Sequence, residues 1–282
     1  MFLLNLRTPN TQRITSVNNM RHPIITLLTD FGTRDHYVAS MKGVILGIHP
    51  HCVLVDITHQ VKPHDIEEGA FVLANACSFF PKGTVHVSVV DPGVGGPRKP
   101  ILIVTRDYFF LGPDNGLLSL AAQGETVKQA IELTNSKYFL SRVSATFHGR
   151  DIFAPVAAHL TRGIRPGMFG PRLNSWAKLD IPQPVITGRE LVGNVFHVDA
   201  FGNLITNIRE RELLQFSRGR SVVIRAGGKN VIGLKKGYWE ARKGALMAVI
   251  GSGGFLELSV REGSAQKMSK AKRGDKIRIV AG

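Results

Sequence analysis

The rhythm of apolar and polar positions changes near residue 170. Before it, from Ile24 onward, apolar runs of three to six residues (24–28, 53–55, 85–90 and 101–104) alternate with stretches where apolar residues return every three or four positions. The runs read as buried strands and the spaced stretches as helices. Tyr37, Met41, Val44, Ile45 and Ile48 form one helical stripe, and Ile66, Leu73, Ala76, Cys77 and Phe80 form another. Asp65, with Glu68 three residues later, resembles a capping box opening the second helix, and Pro81-Lys82-Gly83 stops it. A turn at Gly112-Pro113-Asp114-Asn115-Gly116 leads into a helix from Leu117. This alternation predicts an α/β domain whose central, mostly parallel sheet is covered by helices. Ligands of such sheets bind beyond the carboxyl ends of the strands, where Asp30, Asp56 and Asp91 are expected.

Beyond residue 170, Gly170, Pro171, Pro182 and Pro184 mark an extended crossing segment. Short alternating runs bounded by glycine follow at 191–198, 221–225, 246–250, 255–260 and 276–280. Ile277 and Ile279 alternate with Lys276 and Arg278, the pattern of a half-buried strand. The expected layout is a flexible extension over 1–23, an α/β domain over 24–170, a linker over 171–188 and a smaller all-β domain over 189–282. Residues 1–23 hold no acidic residue and read either as a targeting peptide or as a frayed tail, with Met20 as the alternative start.

Composition narrows the function classes. A chain of 282 residues suits two domains, and 43% apolar with 20% charged residues excludes general disorder. No apolar stretch approaches the roughly 18 residues of a membrane helix. Cys52 and Cys77 sit in no metal-like spacing, which argues against a disulfide framework or zinc ribbon and fits a reducing cytosol. Ten of the fifteen net positive charges fall within 183–282, a field that attracts small anions or nucleic acid. With few aromatics and no helix-turn-helix, finger or RNP pattern, nucleic acid is not the expected partner. The ten histidines form no metal-ligand spacing, so no metal is expected.

Several segments carry chemistry-bearing side chains. Asp91-Pro92-Gly93-Val94-Gly95-Gly96-Pro97-Arg98 frames three glycines with a carboxylate and a guanidinium. It lacks the Gly-Lys-Ser/Thr of a P-loop and reads as a close approach to a ligand or as a tight turn. Asp30, after the first strand, is a binder of vicinal hydroxyls or a helix cap. Phe147-His148-Gly149-Arg150-Asp151 sets a histidine in a polar cluster, either structural or catalytic. Asp199 to Asn203 is a hairpin turn or a polar recognition loop, and Gly251-Ser252-Gly253-Gly254 is similarly ambiguous.

In series, Asp30-Phe31-Gly32, Asp56-Ile57-Thr58-His59, Glu67-Glu68-Gly69-Ala70, the 91–95 and 112–116 segments, 147–151, Phe201-Gly202-Asn203 and Gly251-Ser252 resemble the S-adenosyl-L-methionine (SAM) hydroxide adenosyltransferase family, relatives of the fluorinases and chlorinases. The resemblance spans about residues 24–265. It implies a barrel-like C-terminal domain and a homotrimer whose substrate lies between the N-terminal domain of one subunit and the C-terminal domain of the next. It also implies a cofactor-free reaction of SAM with water, giving adenosine and L-methionine. Asp91, Arg98 and His148 match the hydrolase trio, Asp91 standing where halogenases carry Tyr and Gly149 where fluorinases carry Ser. The resemblance assigns Asp30 to the ribose hydroxyls, with Phe147 lining that pocket, and sets His64 among the substrate-binding residues at a position that fluorinases fill with Trp. It assigns Asp199 and Ser252 to the methionine end, and Asn203, Tyr238 and the backbone at Val260 to adenine. Arg261 stands where relatives usually carry Asn. Two other readings remain: a halide-using adenosyltransferase, and a non-catalytic adenosine- or nucleic-acid-binding module.

Overall fold

The computed structural model describes residues 22–282. The readings of 1–23, including the choice between Met1 and Met20, lie outside the described residues apart from the last two positions. Numbered in chain order, the first sheet holds β1 (Ile24–Thr29), β2 (Val53–Thr58), β3 (Val85–Val89), β4 (Pro100–Thr105), β5 (Phe109–Pro113), β6 (Val127–Glu132) and β7 (Arg172–Leu173). Their spatial order is β2-β1-β3-β5-β4-β6-β7. The three pairings of β2-β1-β3-β5 are parallel and the three of β5-β4-β6-β7 are antiparallel. The sheet is therefore mixed, against the expectation of a mostly parallel one. The hairpin through Arg106-Asp107-Tyr108, closed by the Thr105 N–H on the Tyr108 carbonyl, turns the chain back on itself.

Successive strand residues point to opposite faces, and both faces are covered. Ile25, Leu27, Val85, Val87, Leu102 and Val104 pack under α1 (Tyr37–Ile48) and α4 (Ala154–Thr161). Leu28, Val90, Ile101 and Ile103 pack under α2 (Ile66–Cys77) and α3 (Ser119–Gln123). This two-sided burial is why these strands show no apolar–polar alternation in exposure, with even Thr26, His86 and Ser88 fully buried. The α2 helix starts as the sequence predicts on the Asp65 side, whose carboxylate accepts the Glu68 N–H at 3.0 Å. A Cβ on Gly69 would lie 2.8 Å from Leu117, so its absence lets α2 sit close to the layer below.

The second sheet is antiparallel and has eight strands: β8 (Val185–Thr187), β9 (Glu190–Val198), β10 (Leu204–Arg209), β11 (Val222–Ala226), β12 (Lys229–Ile232), β13 (Leu246–Ile250), β14 (Phe255–Val260) and β15 (Lys276–Ala281). It wraps a core of Val195, Leu204, Ile208, Ile224, Leu258, Ile277 and Ile279. A bridge from Lys235, just after β12, to Val249 in β13 brings the two ends of the strand path together, giving a near-barrel. The two sheets meet at α2, where Phe71 stacks on His197 at 4.8 Å and edges against Phe196 at 5.3 Å. Among the described residues no helix is long and apolar enough to cross a membrane.

Candidate active site

Strand order locates the site. From β1 the chain moves outward to β2, then returns across β1 to place β3 on its other side. The crevice outside the carboxyl ends of β1 and β3 is therefore a topological switch point. Asp30 follows β1 and Asp91 follows β3 at that edge. Asp56 differs from expectation. It lies inside β2, opposite Leu27, and is held by Lys42 at 2.6 Å and by His59 at 3.1 Å. Burial would raise the Asp56 carboxyl, but those two partners outweigh it and hold the group below the usual carboxylate range. His59 also contacts the Thr29 hydroxyl through Nδ1 at 2.8 Å, and its carbonyl accepts the Gly32 N–H at 2.7 Å. The β1 and β2 loops are thus tied together beneath Asp30.

Asp91, Arg98 and His148 come together. Arg98 Nε donates to both Asp91 oxygens at 3.0 and 2.9 Å, and Nη2 donates to Oδ2 at 2.5 Å. The same Nη2 lies 2.7 Å from His148 Nδ1. Both members of the ion pair are nearly buried, with side chains 9% and 4% exposed for Arg98 and Asp91. The guanidinium also lies over the Phe153 ring, 5.8 Å from its centre. Because a guanidinium only donates, His148 Nδ1 must accept, and the neutral ring carries its proton on Nε2. Burial first, and the Arg98 charge second, hold the His148 imidazole below its ordinary range. The trio therefore presents a carboxylate and an imidazole N–H.

The local sequence builds this geometry. The Asn115 amide donates to the Val90 carbonyl at 2.9 Å, and the Asp114 N–H donates to the Lys99 carbonyl at 2.8 Å. The 112–116 turn thereby pins the chain on both sides of the 91–98 loop. Gly95, with φ +76°, presses on the segment before His148, where a Cβ would lie 2.1 Å from the Ala145 carbonyl. His148 itself leads into a π-turn over Gly149–Phe153, a distortion common at functional sites. Inside that turn the fully buried Asp151 accepts from Arg150 at 2.6 Å and from the Ser144 N–H at 2.8 Å, fixing the approach to the histidine. Nothing in the local sequence around Asp151 marks it for this role.

The remaining candidates form two further groups. Asp30 Oδ2 accepts the His64 N–H at 2.9 Å, and Phe147 packs in T-shaped contacts with Phe31 and Tyr37. On the β domain, Asp199 Oδ1 accepts the N–H groups of Phe201 and Asn203, and Oδ2 accepts the Asn203 amide at 2.8 Å. The hairpin reading of this segment is thus realised, and Asn203 already spends one amide proton on Asp199. Asp199 and Ser252 line a cavity of about 320 Å³ together with Phe71, Asn75, His197 and Glu257. Tyr238 donates to Glu257 Oε1 at 2.8 Å, and its hydroxyl is pushed up to about 12 by burial and by that carboxylate. The Val260 carbonyl accepts the Gly263 N–H. Arg261 donates to the Ala241 carbonyl at 2.9 Å, bracing the turn that carries Tyr238. Glu257 escaped sequence reasoning because an acid between Leu256 and Leu258 reads as the solvent face of a strand, whereas it is buried. No hydrogen bond or ion pair among the described residues joins the Asp30, Asp91 and His148 groups to the Asp199, Tyr238 and Ser252 group.

Residues 25–170 match the family model described as SAM hydroxide adenosyltransferase N-terminal domain, and residues 193–278 match the one described as its C-terminal domain. A protein of Methanocaldococcus jannaschii named (R)-S-adenosyl-L-methionine hydrolase is 39% identical over 91% of this chain and 95% of its own. One of the same name from Salinispora arenicola is 36% identical over 92% and 98%. A crystal structure described as an uncharacterized conserved protein from Thermotoga maritima is 40% identical, covers 91% of this chain and 99% of its own, and superposes with a TM-score of 0.86.

Proposed function

Because the chain belongs to the SAM hydroxide adenosyltransferase family, we infer that it is an enzyme that hydrolyses S-adenosyl-L-methionine to adenosine and L-methionine. We propose that water attacks the ribose 5′ carbon in line with the departing sulfur. The new O–C5′ bond forms as the C5′–S pair collapses onto the sulfonium, and methionine leaves as a neutral thioether. That leaving group needs no general acid and the step needs no cofactor. What the protein must supply is an aligned water, an acceptor for its proton and a dry pocket. Asp91 orients the water and takes up the proton, the His148 Nε2–H steadies the developing hydroxide, and Arg98 holds the carboxylate in place and fixes the tautomer of the imidazole. The observation carrying this reading is the single Arg98 side chain bonded to both Asp91 and His148.

Binding roles follow the same lines: Asp30, His64 and Phe147 at the ribose, Asp199 and Ser252 at the methionine end, and Asn203, Tyr238 and Val260 around adenine. Since no bond among the described residues joins the two groups, we propose a second copy as the source of the missing half, in the trimer that the family resemblance implies. The buried free thiols of Cys52 and Cys77 support a reducing compartment, the cytosol, as the working place.

Asp91→Asn and His148→Ala test the chemical assignment. Each is expected to lower turnover by about 10²-fold or more, the scale of proton-transfer help, while adenosine still binds. Full turnover in both variants contradicts it.

A further inference from the structure

The α2 helix is where the two sheets touch, and its start lies beside the ribose loop. Arg273 in the β domain reaches across to this start. Its Nη1 donates to Asp65 Oδ1 at 2.7 Å and to Oδ2 at 2.5 Å, and its Nη2 donates to Glu67. Among the described residues these are the only ion pairs joining the two sheet domains.

Both ends of the contact are firmly built. Arg273 sits in a turn closed by the Lys272 N–H on Asp275 Oδ2 at 2.9 Å. That turn is pinned to β9 by the Val195 N–H on the Asp275 carbonyl, by the Gly274 N–H on the Val195 carbonyl and by the Asn194 amide on the Gly274 carbonyl. On the receiving side, Asp65 caps α2 and follows His64 directly. His64 adopts φ +67°, a left-handed conformation that a side-chain-bearing residue rarely takes up unaided. It is held there by the Ile66 N–H on its carbonyl and by its own N–H on Asp30. Four residues thus lead in bonded sequence from the β domain to the ribose acid: Arg273, Asp65, His64 and Asp30.

We propose that Arg273 is a positioning residue: acting through Asp65 and His64, it sets the carboxylate of Asp30 for the ribose hydroxyls, so that docking of a chain's β domain on its own α2 helix tunes nucleoside selectivity. This rests on the reading of Asp30 as the ribose acid. A partly exposed ion pair contributes little to stability by itself. Its leverage is geometric, because one guanidinium holds Asp65 through Nη1 and Glu67 through Nη2 and so fixes the helix cap from a rigid support.

The test is calorimetric titration of the full-length protein with adenosine and with 2′-deoxyadenosine. The native protein is expected to prefer adenosine by about tenfold, the scale of one hydrogen bond to a charged group. Arg273→Gln should lose most of that preference through weaker adenosine binding, with 2′-deoxyadenosine changed by less than about twofold, and Arg273→Lys should recover part. Asp65→Asn, which keeps a competent cap, should reproduce the loss. An undiminished preference in Arg273→Gln, or an equal weakening of both ligands, overturns the proposal. A native protein with no preference overturns it together with the reading of Asp30, which separates the two failures.

Discussion

Arg98 bonds to a carboxylate on one side and an imidazole on the other, and the consequence falls on the imidazole. A protonated His148 could not accept at Nδ1, so protonation would break the 2.7 Å contact and set two cations side by side. Burial and the Arg98 charge push the histidine below its ordinary value of 6.5. Since the depressed pKa belongs to the working state, the ring takes up its proton at a lower pH than an ordinary imidazole does. The acid-side inflection in the rate at saturating SAM should therefore lie below the ordinary imidazole value of 6.5. An inflection at or above that value, absent in His148→Gln, would contradict the arrangement.

At the scale of elements, the active loop is a suspended segment. The 112–116 turn grips the chain at Val90 and at Lys99, and Gly95 lets the middle of the loop lie against Ala145. Asp91 and Arg98 have little freedom to drift from each other or from His148. Much of this was legible beforehand. The strands over Leu246–Ile250 and Phe255–Val260 and the α1 helix appear where the apolar pattern put them, and the Asp65–Glu68 spacing marked the cap, of which the Asp65 side-chain half is made. Strand direction was not legible, because an apolar run buried on both faces looks the same running either way. That is how β5, hidden in the Gly112-Pro113 turn motif, and the antiparallel half of the first sheet were missed. The β10 strand was obscured by Asn203 and Asn207, both buried but satisfied by side-chain bonds that a linear pattern cannot register. The Asp91, Arg98 and His148 trio was legible only through family resemblance. Positions 7 and 50 residues from Arg98 are joined by tertiary folding, which leaves no local periodicity. The pairing of Arg273 with Asp65, 208 residues apart, left no signal at all.

For the whole molecule, the division of candidate residues between the two domains carries the assembly argument. If each site takes Asp91 from one copy and Asp199 from the next, inactive chains of the two kinds can repair each other. Asp91→Asn and Asp199→Ala chains, each poorly active alone, should regain activity when co-expressed. Random mixing in a closed ring restores about a quarter of the sites. No gain over either variant alone, in mixed assemblies verified by mass spectrometry, would place each complete site within a single chain.

The identity of the attacking atom is tested most directly with isotopes. SAM turned over in water enriched in heavy oxygen should yield adenosine carrying the label in its 5′-hydroxyl, with none in the methionine. Adenosine with an unlabelled 5′-hydroxyl, or a 5′-halo-adenosine appearing in proportion to added chloride or fluoride, would contradict water as the nucleophile held by Asp91, Arg98 and His148.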